Sequence, residues 1–327
     1  MHTQPYATLS PDTLLDALES IGLCSDGRLL ALNSYENRVY QVGMENQAPL
    51  IAKFYRPARW PVEAILEEHA FVARLAEQEI QVVPALPING KTLHEFKGFY
   101  FALYTRQGGR APELDHHDTL ERIGRFLGRI HAIGALTSYR HRPTLDIHSF
   151  GEEPGAYLLE HDFIPAELLA VYRGVLAHAL DGVRRCFERA GTTRLLRLHG
   201  DCHAGNILWT DEGPHFVDFD DSRMGPAIQD LWMLLSGSRE QQNQQLAALL
   251  RGYQDFYDFS PAELHLIEAL RSLRLIHYAA WIARRWEDPA FPNAFPWFNT
   301  QRYWQDRILE LREQIALMDE PPLSPGC

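Results

Sequence analysis

The spacing of hydrophobic residues differs between the first third of the chain and the rest. Just after Ser10, apolar residues recur at helical spacing, at Leu14, Leu15, Leu18 and Ile21. Ser10 has the side chain of an N-cap and Pro11 suits a first helical turn, so a short helix is predicted here. From residue 28 to 55 the pattern changes to three short β-prone runs separated by polar breaks. This pattern predicts an antiparallel meander of three strands.

Helical spacing returns after Pro61, where apolar residues fall on one broad face with glutamates among them, so an amphipathic helix is predicted. Two further β-prone runs, 90–96 and 98–105, predict a hairpin. The stretch that follows contains Gly and Pro and has no hydrophobic period. Beyond Asp118 helical patterns dominate, with one β-like island at 195–218.

These patterns together predict an α+β protein with two lobes. A small antiparallel β-rich N-terminal lobe is expected over residues 1–105 and a hinge or linker over 106–117. A larger, mainly helical C-terminal lobe is expected over 118–327. The length of 327 residues suits two domains of ordinary size.

The charge balance limits the partners that the protein can have. Lys and Arg total 31 against 43 Asp and Glu, a net charge of -12, which argues against a protein that binds the phosphate backbone of nucleic acids. The four cysteines are scattered without a Cys-x-x-Cys pair, so neither a disulfide framework nor a zinc knuckle is indicated. We therefore expect reduced thiols and no nucleic-acid partner.

Two further patterns bear on where the protein is expected to act. The first residues have no basic start and no apolar run, so no secretory signal is visible. The most apolar helical stretch, 275–283, is far shorter than the roughly 20 residues that a membrane span needs. The expected location is the cytoplasm, away from membranes, and the expected state is a monomer.

The most informative segment is Leu198–Leu208, LHGDCHAGNIL, which is followed by FVDFDD at 216–221. Phosphoryl transfer needs a group that accepts the proton of the attacking hydroxyl and oxygen ligands that hold magnesium against the triphosphate. Asp201, Asn206 and Asp218 supply these residue types. Their pattern, His-x-Asp-x-x-x-x-Asn and then an Asp after a short strand, matches a kinase catalytic loop and its metal-binding aspartate.

This pattern resembles the aminoglycoside phosphotransferase and choline kinase branch of the protein-kinase-like fold, where His-Gly-Asp replaces His-Arg-Asp. Over nearly the whole chain, the sequence resembles more narrowly the bacterial stress response kinase A family. The segments that carry this resemblance are NSYENRVYQ, KFYRPARW, ILEEHAF, LRLHGDCHAGNILW, GPAIQDLWMLL and RRWEDPAFPNAFPW. The resemblance implies a cytoplasmic kinase that uses ATP and Mg²⁺ to phosphorylate protein serine or threonine.

The resemblance also implies roles for single residues. Asp201 would be the catalytic base, Asn206 a magnesium ligand, and Asp218 the bridge between metal and phosphates. Asp230 would tie down the catalytic loop in a structural role. His199 is interpreted as a structural residue of the same loop, because a carboxylate already fills the role of base. His203 stays unassigned.

Lys53 lies on the third predicted strand, where kinases carry the lysine that pairs the α- and β-phosphates. Its apolar neighbours Ile51, Ala52 and Phe54 favour a buried cation, which requires a carboxylate partner. Glu68 is the predicted partner because it lies at the edge of the apolar face of its helix, and Glu67 is the alternative.

The turn between the first two strands, 33–38, reads NSYENR and lacks the glycines that cover the phosphates in protein kinases. Backbone N–H groups and the Ser34 hydroxyl can still bind a phosphate there, and the resembled family uses a serine at this position. The alternative is a plain hairpin turn, since Asn and Ser favour turns without any ligand.

Several alternatives stay open. A small-molecule kinase acting on choline, homoserine or an aminoglycoside would use the same catalytic residues. A zinc hydrolase would use His199, Asp201 and His203, and a pseudokinase would bind ATP without transfer. The aromatic and arginine-rich stretch 278–304 can line an acceptor site, but core packing is the favoured interpretation. Fewer than ten residues separate Asp221 from Asp230, which leaves no room for a long activation loop.

Overall fold

The predicted meander forms the first three strands of a five-stranded antiparallel sheet. In a computed structural model, which describes residues 5–326, the strand order is β1-β2-β3-β5-β4. The strands are β1 Ser25–Leu32, β2 Arg38–Met44, β3 Gln47–Phe54, β4 His94–Phe96 and β5 Phe99–Thr105. The three-strand meander and the later hairpin are therefore both confirmed.

Two helices cover the two faces of this sheet. Side chains alternate between faces along a strand, so Ala52 and Phe54 face one side while Lys53 faces the other. The first side packs on helix α1, Pro11–Glu19, through Leu14 and Leu18. The second side packs on helix α2, Val62–Glu77, through Ile65. Strand β3 therefore directs Lys53 towards the α2 side.

The remaining helices follow from residue 117 onward. They are α3 His117–Gly134, α4 Glu153–Glu160, α5 Ala166–Ala190, α6 Ile228–Trp232, α7 Arg239–Tyr253, α8 Ile267–Ala283, α9 Ala290–Ala294 and α10 Gln301–Asp319. Helices α3 and α7 pack so closely that a Cβ on Gly124 would collide with the carbonyl oxygen of Leu249. The α+β class with a helical C-terminal part is thus confirmed. Among residues 5–326, no helix is long and apolar enough to cross a membrane.

The chain divides into two units by its internal contacts. The first unit runs to Pro112 and includes 140–142 and 204–220; the second contains 113–139, 143–203 and 221 onward. The predicted β-like island is thereby divided. Its hairpin, β7 Ile207–Thr210 and β8 Gly213–Phe216, lies in the first unit, whereas β6 Leu196–Arg197 pairs with β9 Met224–Gly225 in the second. The chain passes from the second unit into the first between His203 and Ala204, within the predicted catalytic loop.

Candidate active site

Two of the predicted site residues meet directly in the first unit. Lys53 Nζ lies 3.0 Å from Asp218 Oδ1 and donates a hydrogen bond to it. Burial alone would lower the pKa of Lys53, but Asp218 and Asp220 outweigh that effect and raise this pKa well above its usual value. Lys53 is therefore a cation held in a buried position, as a phosphate-binding lysine must be.

Asp218 differs from Lys53 in its exposure and backbone. Its side chain is 56% exposed, whereas the Lys53 side chain is 9% exposed. Its φ of 60° lies in the left-handed region, which aspartate tolerates better than most residues. An exposed carboxylate at the edge of a buried cation can accept a metal ion without a large desolvation cost.

Asp220 lies at the centre of the same cluster, although sequence reasoning left it out of the site. It is 3% exposed, and its Oδ1 lies 3.4 Å from Lys53 Nζ. Its Oδ2 accepts hydrogen bonds from Asn37 Nδ2, at 3.1 Å, and from Arg59 Nη1. Asp220 is therefore a buried carboxylate with three donors or cations around it. Burying a carboxylate costs desolvation free energy, and such partners are needed to offset that cost.

The predicted Lys53–Glu68 ion pair is wrong for this structure. Within the described residues, Lys53 pairs with Asp218 and Asp220, while Glu68 lies 3.7 Å from Arg142 Nη2. The reason is tertiary: the segment 140–142 joins the first unit and brings Arg142 to helix α2. Burial raises the pKa of Glu68 to about 7, although Lys53 and Arg142 act to lower it. Glu68 thus affects the pKa of Lys53 only through a longer-range electrostatic interaction.

The alternative partner, Glu67, is also occupied elsewhere. Its two carboxylate oxygens accept hydrogen bonds from the backbone N–H groups of Arg140, His141 and Arg142, at 2.8, 2.9 and 3.2 Å. Both neighbouring glutamates of helix α2 therefore hold the same segment. Helical periodicity identified the two glutamates, but it contained no signal for their partner, the segment 140–142, which lies about 70 residues further along the chain.

The turn that carries Ser34 connects β1 to β2 and is built from polar side chains. Ser34 is half-buried, and Tyr35 is exposed. Glu36 and Asn37 are buried at 8% and 3% exposure. Asn37 Oδ1 accepts a hydrogen bond from the backbone N–H of Arg56, at 3.1 Å. The turn is therefore anchored through its last two residues, while its first residues face outward.

Asn206 belongs to the first unit as well, at the start of hairpin β7–β8. It ends a short 3₁₀ turn, Ala204–Asn206, and its carbonyl oxygen accepts a hydrogen bond from the N–H of Val217, at 3.0 Å. That bond joins the backbone of the predicted magnesium ligand to the residue just before Asp218. The hairpin thereby fixes the two predicted metal-binding residues in one local structure.

Asp201, the predicted base, lies in the second unit with a basic side chain beside each carboxylate oxygen. Arg274 Nη1, from helix α8, is 2.7 Å from Oδ1, and His203 Nε2 is 3.5 Å from Oδ2. Burial would raise the pKa of Asp201, but His203 and Arg274 outweigh it and hold this pKa below its usual value. The carboxylate is therefore ionised at neutral pH, as a proton acceptor must be. Arg274 was not identified from the sequence.

A buried aspartate fixes the backbone of this loop. Asp230 is fully buried and accepts hydrogen bonds from the N–H groups of His199 and Gly200, at 2.8 and 2.9 Å. The Nδ1 of His199 in turn accepts from the N–H of Asp201, at 3.3 Å. Gly200 has a φ of 89°, and a Cβ there would collide with the carbonyl oxygen of Asp221. Asp230 and His199 thus have the structural roles expected of them.

The side chains that a zinc hydrolase would use as metal ligands do not form a zinc site. His199 is fully buried and its Nδ1 is engaged with the loop backbone, so it is not presented to a metal. Among residues 5–326, no three His, Cys, Asp or Glu side chains are grouped so as to hold a metal ion. A magnesium site of the kinase type needs only one or two carboxylates plus substrate phosphates, which Asp218 with Asn206 fits.

The aromatic stretch 278–304 is mostly core. Phe291, Phe298 and Trp304 are fully buried, and their rings pack edge-to-face or tilted against neighbouring rings. Trp297 is the exception, with 43% of its surface exposed. Core packing, the favoured interpretation of this stretch, therefore accounts for most of its aromatic residues.

Comparison with known proteins gives the class of the molecule. The model of the phosphotransferase enzyme family matches residues 28–267, a range that includes Lys53, Asp201 and Asp218. A solved amicoumacin kinase in complex with AMP-PNP, Ca²⁺ and Ami has a TM-score of 0.75. It is 19% identical and the match covers 100% of this chain and 98% of that chain, a likeness that concerns the fold. The chain belongs to the phosphotransferase enzyme family and, within it, to a narrower group.

Two curated relatives define that narrower group. Stress response kinase A of Escherichia coli O157:H7 is 46% identical over 318 residues, 97% of this chain and 96% of that protein. A relative from Salmonella typhimurium, named serine/threonine protein kinase RdoA, is 44% identical over the same length and the same shares. The resemblance seen in the sequence is thus confirmed, and the chain is a kinase-type phosphotransferase.

Proposed function

We propose that this protein transfers the γ-phosphate of ATP, with Mg²⁺, to serine or threonine hydroxyls of protein substrates in a bacterial stress response. The observation that carries the proposal is the pairing of buried Lys53 with exposed Asp218. A phosphate-binding cation and a metal-binding carboxylate must lie together for a triphosphate to bridge them. The proposal includes action as a monomer in the cytoplasm, without nucleic acid or membrane.

Each predicted residue then has a chemical role. Lys53 binds the α- and β-phosphates, and the Ser34 turn contacts the phosphates through N–H groups and the hydroxyl. Asp218 and Asn206 are oxygen donors of the kind that Mg²⁺ prefers, and they would hold it. Bound Mg²⁺ neutralises charge on the phosphates during transfer.

Asp201 acts on the acceptor. Its ionised carboxylate orients the attacking hydroxyl and accepts its proton as the oxygen–phosphorus bond forms and the bond to the β–γ bridging oxygen breaks, releasing ADP. Arg274 keeps Asp201 ionised before the reaction, because a nearby cation stabilises the carboxylate. Asp230 holds the loop that presents it.

The choice of a protein acceptor is supported by the relatives rather than by the site. The Salmonella relative is named a serine/threonine protein kinase and matches over nearly the full length of both chains. The alternative, a kinase of choline, homoserine or an aminoglycoside, uses the same residues and is separated from the proposal by experiment alone.

The test is transfer of labelled γ-phosphate from ATP with Mg²⁺ to three acceptors: the protein itself, a generic protein substrate and a panel of hydroxyl-bearing metabolites. Label on serine or threonine that is lost in Asp201→Asn supports the proposal. Label on a metabolite alone replaces it with the small-molecule kinase. Tight ATP binding without transfer to any acceptor indicates a pseudokinase.

A further inference from the structure

The β1–β2 turn, residues 33–37, has no glycine, yet it occupies the position of a phosphate-binding loop. Glycines normally let such a loop present its backbone N–H groups to phosphates. A turn without them needs another means of directing its backbone N–H groups to a phosphate. Side chains from outside the turn provide that means in this protein.

The carbonyl oxygens of the turn are bound by two side chains. Arg38 Nη1 donates to the carbonyl oxygens of Tyr35 and Asn37, at 3.3 and 3.4 Å. The hydroxyl of Tyr6 donates to the carbonyl oxygen of Glu36, at 3.1 Å. Three successive carbonyl groups are thus directed to donors within the protein. This arrangement favours binding of an anion at the turn, because the carbonyl oxygens that would repel an anion are already hydrogen-bonded.

The side chain of Asn37 connects the turn to the rest of the cluster. Its Oδ1 accepts from the N–H of Arg56, and its Nδ2 donates to Asp220 Oδ2, 183 residues away in the sequence. Asp220 also approaches Lys53 Nζ at 3.4 Å and pairs with Arg59. A single buried carboxylate therefore touches the turn and the phosphate-binding lysine together.

Arg56 and Arg59 reinforce this connection through Glu36, the buried glutamate of the turn. The Nε atoms of the two arginines lie 3.7 and 3.9 Å from Glu36 Oε1. The cluster contains three cations, Lys53, Arg56 and Arg59, and three carboxylates, Glu36, Asp218 and Asp220. Of the paired aspartates, Asp218 is exposed and can turn to a metal, whereas the Asp220 side chain is 5% exposed and stays with its protein partners.

We propose that Asn37 and Asp220 are positioning residues for the phosphates of ATP, because their hydrogen bond fixes the β1–β2 turn at the position that a glycine-rich loop occupies in other kinases. This inference rests on the proposed function, since it assumes that ATP is the ligand. Neither residue needs to touch ATP. The bond keeps the turn, Lys53 and Asp218 in a fixed arrangement before the nucleotide arrives, which reduces the ordering cost of binding.

The test compares Asn37→Ala with Gln47→Ala, the loss of an exposed amide side chain at the start of β3, outside the turn. Calorimetry measures the affinity for a non-hydrolysable ATP analogue with Mg²⁺ and for adenosine, and steady-state kinetics measures KM for ATP and kcat. In Asn37→Ala the affinity for the analogue should fall at least tenfold with adenosine affinity within twofold, and KM should rise more than kcat falls. Gln47→Ala should stay within twofold throughout.

A reciprocal exchange keeps the inference testable if single variants fold poorly. Asn37→Asp places two carboxylates together and should lower analogue affinity at least tenfold, as should Asp220→Asn. The double variant restores a donor–acceptor pair and one negative charge, so it should recover at least threefold over Asn37→Asp. Absence of recovery, or equal losses for the analogue and adenosine in Asn37→Ala, overturns the inference. Absence of analogue binding by the native protein overturns the proposed function and the inference with it.

Discussion

Lys53 Nζ lies 3.0 Å from Asp218 Oδ1, although 165 residues separate the two along the chain. The pair joins a strand of the five-stranded sheet to the segment that follows hairpin β7–β8, both within the first unit. In the proposed reaction these two side chains bind the same triphosphate, one through its charge and the other through a metal. Their proximity is the basis of the first two predictions.

Replacement of Lys53 should chiefly impair phosphate binding. Lys53→Met keeps the bulk of the side chain but removes the charge, so kcat/KM for ATP should fall about 100-fold or more. The control is Lys91→Met, an exposed lysine of the same unit, which should leave kcat/KM unchanged. Steady-state kinetics with varied ATP measures both. Normal kcat/KM in a folded Lys53→Met protein would show that another cation holds the phosphates.

Asp218→Ala should abolish metal-dependent turnover while the fold is retained. The side chain is exposed and its removal leaves no cavity, but Ala at a φ of 60° and the loss of a counter-ion beside buried Lys53 should lower the melting temperature moderately. Turnover should be undetectable at any Mg²⁺ concentration, because one carboxylate donor of the metal is lost. Unchanged turnover in the folded variant would remove the metal role from Asp218.

Arg274 should set the pH at which Asp201 becomes a base. Since His203 and the Arg274 guanidinium both lower the pKa of Asp201, Arg274→Gln should raise that pKa and move the acidic limb of kcat/KM upward by about one pH unit or more. Arg284→Gln is the control, because Arg284 ends the same helix and pairs with Glu153 instead. Superimposable pH profiles of the native protein and Arg274→Gln would contradict this role.

Glu68 should make stability depend on pH. A carboxyl whose pKa is higher in the folded than in the unfolded protein holds its proton more tightly when folded, so stability is lost as pH rises between the two values. For Glu68 that window runs from its ordinary value of 4.5 to about 7. Glu68→Gln removes the cost of an ionised buried carboxylate, so its gain in stability over the native protein should be larger at pH 8 than at pH 5.

The size of this difference is on the order of 3 kcal/mol at most, from the shift in pKa. Denaturant unfolding at the two pH values measures it. Glu63→Gln provides the control, because Glu63 is an exposed glutamate of the same helix and should show no such difference. An equal effect of Glu68→Gln at both pH values would mean that Glu68 has an ordinary pKa in the folded protein.

Gly200 should be intolerant of any side chain. Gly200→Ala forces a Cβ into the carbonyl oxygen of Asp221 at a positive φ, so it should destabilise the protein by more than the roughly 1 kcal/mol that φ strain alone costs. Gly22→Ala isolates that strain, since Gly22 has a φ of 88° and open space around it. Thermal unfolding compares the two variants. Equal melting temperatures would show that the loop can shift away from Asp221.

Local patterns were sufficient for most of the secondary structure. Period-2 and period-3.6 spacing predicted the meander, helix α2 and the later hairpin, because the side-chain direction in each element follows directly from its repeat. Motif spacing was equally sufficient to select Asp201, Asn206 and Asp218, since the catalytic loop is short and contiguous. The roles of these residues in catalysis stay predictions.

Local patterns failed where a partner arrives from a distant part of the chain. The helical position of Glu68 predicted an ion pair with Lys53. In the structure Glu68 pairs with Arg142 instead, and Asp220 lies beside Lys53. Nothing in the local pattern distinguishes Asp220 from a surface carboxylate, because acidic residues are usually exposed. Its burial depends on Asn37 and Arg59, more than 160 residues earlier in the chain.

The sequence by itself determined the α+β class and the order of the elements, and it predicted the kinase-type catalytic residues, because these depend on periodicity and on short contiguous motifs. The tertiary structure alone decided which charges pair, which carboxylate is buried and which cation sits beside the predicted base. The physical reason is that the energy of a charge depends on its distance from partners and on its exposure to water, and neither is encoded in local spacing.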